Sequence, residues 1–562
     1  MDFIERGTNQ KIRLDQRHFV AAGGEAKVFA KDGVGYKIFL DPRKMIPLQK
    51  IDELSVLADP HIIKPESALL DKKKKPVGYT MQFVEDTHAL CQAFTRAFKD
   101  RNGITPDNSL LLVRKIQFLL KHIHLHDILA VDINELNLLL SEDFEDVFWI
   151  DTNSFQTPSF PATAIMEMIR DRHSKKFTQG TDWFSFAVTS FQFLIGAHPY
   201  RGRHPDYGKK EVDRRMQDNV SAFNPKASLP SVCYPFDVIP EVYRKWYKAV
   251  FERGERCAPP EDLVAVAAII APQVAKVVGT DNFEIQEIAD FIEEVLRFES
   301  VQGIRVTECP NYIYVDKKKI GKQNKANVVV TPILSRPIAV ILSGGMLNFV
   351  DITRRRQVRS TTACKDFMVH EGRVYVKYGE SVSEIEFVEI GDNVTHAVGS
   401  PMANVLDQAT YMFDGVVVQN LLGAYHISLF PEPGEHHQIR IKELDEYRVV
   451  DAKFDKNVLM VIGEKAGKYD RFIFRFSSNY RSYDQRVIED VAVAGLNFVV
   501  LDTGVCACVN EDEELELFAS KKDSTGVKQV DDPAISSDIK LFKDGTKLLF
   551  GKGNKLYHIK MK

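Results

Sequence analysis

Asp132 and Asn137 stand five positions apart in the stretch Ala130 to Asp151, AVDINELNLLLSEDFEDVFWID, which closes on a second aspartate, Asp151. Carboxylates and a carboxamide are hard oxygen donors of the kind Mg2+ prefers, and this layout suits a magnesium-bound phosphate. Upstream, Lys37 lies in the apolar segment Val34-Gly35-Tyr36-Lys37-Ile38-Phe39. Such a lysine usually snorkels to the surface, but one fixed by a carboxylate can address phosphate oxygens. Glu53, in PLQKIDELSVL, is the carboxylate offered for that purpose. Gly23 and Gly24 separate Phe19-Val20 from Val28-Phe29, where a bare backbone could approach a phosphate, although paired glycines between strands more often make only a hairpin.

Several elements must position these groups. Leu138 to Leu140 and Val147 to Ile150 flank the polar turn Ser141 to Asp146, which predicts a β-hairpin carrying acidic and amide groups at its base. Strand-like segments recur over residues 19 to 40, 61 to 70 and 77 to 84, with a helical segment over 47 to 57. The run Lys72 to Lys75 reads as a solvated hairpin tip. From about Ala89 the period becomes helical, most clearly over Leu110 to His126, apolar at Leu112, Ile116, Leu119, Leu120 and Ile123. His122, His124 and His126 on that helix are not read as a metal site, because alternate positions diverge and no cysteine is near.

Taken in order, these residues resemble the eukaryotic-like protein kinase fold over about residues 15 to 280. The catalytic-loop motif H-R-D-x-x-x-x-N is matched at Asp132 and Asn137, with Ala130 and Val131 in place of His-Arg; the D-F-G aspartate is matched by Asp151, followed by Thr152-Asn153. Lys37 matches the strand lysine and Glu53 the helix glutamate, while the glycine-rich loop registered on Val28 keeps only Gly23. Downstream, GTDWFSFAVTSFQFLIGAHPYRG aligns Asp182, Trp183, Ser185, Leu194, Gly196 and Pro199-Tyr200 with the core helix of the large lobe, and its His-Pro-Tyr ending resembles bacterial and phage kinase-like proteins. Arg256 matches the late arginine that ties down the activation segment, with Glu167 the partner suggested for it.

The resemblance implies ATP and Mg2+ as cofactors: Lys37 on the phosphates, Asp132 as catalytic base, and Asn137 with Asp151 on the metal. Gly23, Gly24, Val28, Glu53, Met81 and Phe83 would complete the nucleotide site. Asn134 stands where the family has a lysine and is the third residue assigned to catalysis; its neutral side chain removes one positive charge from the transferring phosphoryl group. A nucleotide-binding pseudokinase scaffold is therefore the alternative to an active Ser/Thr-type kinase.

Beyond residue 281 the pattern is strand-like, after a helical connector expected over 282 to 299 (EIQEIADFIEEVLR). Similar units recur, with Phe367, Phe413 and Phe454 spaced 46 and 41 residues apart, a period fitting a four-stranded propeller blade. Residues 300 to 562 would hold six or seven blades, with two β-sandwiches as the alternative and LYHIKMK as a closing strand. The Arg354-Arg355-Arg356 and Arg359 cluster and His436-His437 read as loop residues, and Cys506-Ala507-Cys508 as a structural strand segment with its thiols on opposite faces. The expected fold class is thus multidomain: a bilobal α+β kinase-like domain (small lobe 1 to 88, helical lobe 89 to 281) followed by an all-β domain.

Across the 562 residues, 74 basic side chains face 78 acidic ones, a balance that argues against a nucleic-acid-coating protein. Seven scattered cysteines without a CxxC pair indicate neither a disulfide framework nor zinc, and the first residues lack the apolar core of a signal peptide, so a cytoplasmic setting is expected. Leu263 to Val278 is short for a bilayer and is read as a buried helix. The expected partner is a protein substrate or binding partner held by the all-β domain, with no membrane contact.

Overall fold

Alternating apolar segments near the N-terminus build one sheet in the computed structural model, which describes residues 1–162, 164–260, 279–322, 326–358 and 360–562. Strands β1 (Asp2–Glu5), β2 (Lys11–Arg13), β3 (Phe19–Ala22), β4 (Ala26–Lys31), β5 (Val34–Phe39), β6 (Ser67–Leu70) and β7 (Pro76–Gln82) run in the order β2-β1-β6-β7-β5-β4-β3. Lys37 sits mid-strand on β5, paired with Val28 on β4 and Tyr79 on β7. Gly78 is required by that register, because a Cβ there would lie 2.2 Å from the Lys37 carbonyl oxygen.

Helix α1 (Leu48–Leu54) connects β5 to β6 in the chain and buries Lys50, Ile51 and Leu54. The helical part follows: α2 (Arg96–Asn102), α3 (Pro106–Leu125), α4 (Gln179–Ile195), α5 (Val212–Gln217) and α6 (Glu241–Glu252). The expected helix at 110 to 126 begins earlier, because Thr105 caps the backbone N–H of Asn108 and Pro106 occupies the first turn. Helix α4 is capped by Thr178 and stops at Gly196, whose φ of 95° closes it. Nearly every α4 side chain from Thr181 to Ile195 is buried, so it forms the centre of the helical part. The small sheet β10-β9-β8 joins β8 (Thr87–Ala89), which precedes α2, to β9 (Leu138–Ser141) and β10 (Val147–Trp149), which follow α3. The β9–β10 pair is the hairpin expected from the sequence, with Leu138 opposite Trp149.

The chain divides into two compact units, one of Met1–Lys99, Ile104–Ala271 and Glu464–Tyr469, the other of Asp100–Gly103, Pro272–Gly463 and Asp470–Lys562. In the second unit the connector helix is not formed. Phe283–Asp290 is a strand, β11, paired antiparallel with the final strand Lys555–Met561. A bulge between Glu287 and Ala289 shifts the side-chain phase midway, so Phe283, Ile285, Ile288 and Ala289 follow a spacing that imitates a helix. The expected helix over 263 to 278, and Arg359, lie outside the described residues.

Seven sheets, six of four strands and one of five, make up the described part of this unit. Phe367, Phe413 and Phe454 each fall in the first strand of a different sheet, so the period seen in the sequence corresponds to one sheet per repeat. Each sheet shares an apolar core with the next: Val306 and Ile313 with Val328, Val340 with Val376, Tyr375 with Val417, Ile427 with Phe454, Met460 with Cys508, Ala507 with Phe550, and Leu549 with Phe298. Cys506 and Cys508 do not lie on opposite faces: two positions apart on a strand, both point into one core, where their thiols are buried, while Ala507 points into the next.

Candidate functional site

The loop carrying Asp132 is held by a residue outside it. Asp182, fully buried on α4, accepts hydrogen bonds from the backbone N–H groups of Ala130 (2.9 Å) and Val131 (3.0 Å) and lies 2.9 Å from His124 Nε2. Val131 adopts a φ of 59°, a left-handed conformation costly for a β-branched residue and sustained here by that carboxylate. Thr189 on the same helix donates to the Ile133 carbonyl at 2.7 Å.

Within the loop, Asn134 Oδ1 accepts from the N–H groups of Leu136 (2.8 Å) and Asn137 (3.2 Å), folding the chain back so that Asn137 returns to Asp132. Asn134 is buried, so its role here is to brace the loop. Asn137 Nδ2 donates to the Asp132 carbonyl at 3.0 Å and to Oδ2 at 3.4 Å. That commits the amide nitrogen and leaves the oxygen as the group Asn137 can offer a cation. Asp132 Oδ1 accepts from the Met166 N–H at 2.8 Å. Burial pushes the Asp132 carboxyl above its ordinary range, with these donors opposing the shift and the nearby Asp151 charge adding to it.

Asp151, which also has a left-handed φ of 61°, forms an ion pair with Lys37, joining positions 114 residues apart in sequence. The lysine is nearly buried while the carboxylate is partly open. Burial disfavours the Lys37 charge, yet Tyr79 and Asp151 outweigh it and hold the ammonium above its usual range. The sequence missed two further contacts: Lys37 Nζ donates to Asn153 Oδ1 at 2.8 Å, and the Tyr79 hydroxyl donates to the same oxygen at 2.6 Å.

Glu53 does not pair with Lys37. It accepts from the Ser159 N–H at 3.2 Å, and hydrogen bonds with Thr157 and Ser159 hold its carboxyl below the usual range. The reason is helical phase: the buried face of α1 runs through Lys50, Ile51 and Leu54, and position 53 falls off that stripe. Lys50 points inward instead and donates to the Asn153 carbonyl at 2.8 Å. A second correction concerns Arg256, which grips Asp171 with both arms of its guanidinium (2.6 and 2.7 Å), whereas Glu167 pairs with Arg170 and Arg172. Asp171 follows no motif visible in the sequence; only the fold identifies it.

Gly23 and Gly24 form the turn of the β3–β4 hairpin, the Gly23 N–H bonding to the Ala26 carbonyl at 2.9 Å, and Gly24 faces open space. Val28 lies on β4; Met81 packs over Gly35 at the end of β7, where the Phe83 N–H bonds to the Gly33 carbonyl at 3.3 Å. The structure thus brings Lys37, Asp132, Asn137 and Asp151 into one network and leaves Glu53 outside it. Among the described residues no three His, Cys, Asp or Glu side chains converge as a metal cluster. No helix among the described residues is long and apolar enough to cross a membrane.

No family model matches this chain. Two fungal proteins described as "Protein kinase C-like", from Neurospora crassa and Hypocrea jecorina, are each 24% identical to it over 232 residues, covering 36% of this chain and 19% of their own length. The chain therefore spans about a fifth of the curated relatives it matches, and the similarity makes its N-terminal region kinase-like. The solved structure of the Cydia pomonella granulovirus kinase PK-1 aligns with 36% of this chain and 84% of its own, at 14% identity and a TM-score of 0.28.

Proposed function

We propose that the first unit is an ATP- and magnesium-dependent protein kinase of the Ser/Thr type, transferring the γ-phosphoryl group to a protein hydroxyl. One observation carries this reading: Lys37 and Asp151, far apart in sequence, are paired beside the loop that presents Asp132 and Asn137. Phosphoryl transfer needs positioning and charge stabilisation above all, and these four groups supply both. Lys37 binds phosphate oxygens, and Asp132 accepts the acceptor hydroxyl's proton. Asn137 and Asp151 would hold magnesium, which would neutralise charge on the phosphates. Distant relatives described as protein kinase C-like support the same class of chemistry.

We further propose that the seven sheets are the blades of a propeller that docks a protein substrate or partner. The support is the cyclic order of shared cores, in which the sheet joining β11 to the final strand packs against both the first and the last of the others. The seven cysteines are all free thiols, in keeping with a reducing, cytoplasmic setting.

A second reading, a nucleotide-binding scaffold without transfer, is favoured by the Met166 N–H on the oxygen that would serve as base, and by Val131 and Asn134 at positions where the family is basic. Incubating the full chain with γ-labelled ATP and magnesium decides between them. Transfer in the wild type that disappears in Asp132→Ala and in Asp151→Ala supports the kinase; transfer persisting in both variants removes it. A thermal shift with ATP-Mg that is lost in Lys37→Ala, without any transfer, selects the scaffold.

A further inference from the structure

Lys37 is immobilised although no α1 carboxylate reaches it. Its hydrogen-bond partners are Asp151 and Asn153, and Asp151 is also the metal-ligand candidate, whereas the Asn153 amide oxygen is shared only with the Tyr79 hydroxyl. Asn153 is itself held on two sides: its Oδ1 accepts from the Tyr79 hydroxyl at 2.6 Å, and its carbonyl accepts from Lys50 Nζ at 2.8 Å. Tyr79 and Lys50 are both buried, on β7 and α1.

We propose that Asn153 is the positioning residue for Lys37, holding the ammonium through one side-chain oxygen, and that Lys50 ties Asn153, and with it the segment after Asp151, to helix α1. A neutral amide orients the lysine without neutralising it, so the charge stays available to phosphate. With lysine instead of glutamate on the inner face of α1, a second ammonium, that of Lys50, reaches the backbone of Asn153 while Lys37 reaches its side chain. This inference rests on the reading of Lys37 as the phosphate-binding cation.

The test uses the full chain as wild type, Asn153→Ala, Asn153→Ser and Asn153→Asp, each first shown to keep its thermal transition. Without nucleotide, acylation of Lys37 by N-hydroxysuccinimidyl acetate is followed by peptide mass spectrometry. Asn153→Ala and Asn153→Ser are expected to speed labelling severalfold, and Asn153→Asp to keep Lys37 protected. With ATP-Mg, losing one charge-assisted hydrogen bond should raise KM for ATP by about tenfold with a smaller fall in kcat. In a Lys37→Ala background, Asn153→Ala should add nothing. An unchanged labelling rate in folded Asn153→Ala and Asn153→Ser, or a full additional loss in the Lys37→Ala background, overturns the proposal. Faster labelling in a protein that neither binds nor uses ATP keeps the positioning role and removes the kinase reading, so the two fail separately.

Discussion

Asp132, the base of the proposed reaction, is held in the fold at a cost to stability. Burial raises its pKa, so the carboxylate that would accept a proton is desolvated in the folded protein. Because the folded pKa lies above the unfolded one, this group favours folding most at low pH and loses that contribution as pH rises through the folded value. At neutral pH its charge is therefore a burden. Asp132→Asn keeps an oxygen for the Met166 N–H and removes the charge, so thermal unfolding at pH 7 should show a midpoint equal to or above wild type, with transfer abolished. The same shift predicts that the acid limb of kcat/KM lies above the ordinary aspartate range of about 3.9, and a pH profile checks it. Asn134 reads in the sequence as a missing positive charge, but its buried side chain holds the loop's turn.

At the scale of elements, two contacts determine whether the site exists. Asp182 satisfies two backbone donors and faces His124 in full burial. Asp182→Ala would leave those groups unpaired and release Val131 from its left-handed conformation, costing about 3–5 kcal/mol by analogy with broken buried polar networks. A lowered unfolding midpoint with loss of ATP-Mg stabilisation is expected. Gly78→Ala would drive a methyl group to 2.2 Å from the Lys37 carbonyl oxygen, so β5 and β7 must separate. The overpacking cost is about 1–3 kcal/mol, and the ATP-Mg thermal shift should shrink as Lys37 is displaced. Both elements were legible in the sequence; the inner face of α1 was not, since a seven-residue helix has too few turns for Glu53 and Lys50 to be told apart by pattern.

At the scale of the whole molecule, the second unit depends on its last strand. Residues 555 to 561 pair with β11 on one side and with Lys547–Lys552 on the other. Ending the chain at Asn554 would expose two strand edges and remove Leu556, Tyr557 and Ile559 from shared cores. Limited proteolysis should cut this unit readily, and light scattering should detect aggregation; a truncated chain that stays monomeric and protease-resistant would show that the closing strand is dispensable.

The sequence by itself determined what is local or periodic: the β9–β10 hairpin, the amphipathic α3, the core helix α4, and the repeat of about one sheet per Phe367, Phe413 and Phe454. It also exposed the chemistry-bearing Lys37, Asp132, Asn137 and Asp151, because spacing and residue type survive without contacts. Only the tertiary structure decided what those groups touch. Lys37 meets Asn153 and Tyr79 rather than Glu53, Arg256 meets Asp171 rather than Glu167, and residues 283 to 290 form a strand against the chain's last segment. Each of these pairings depends on a helical phase, a bulge or a long-range approach, and none of those is encoded in the spacing of neighbouring residues.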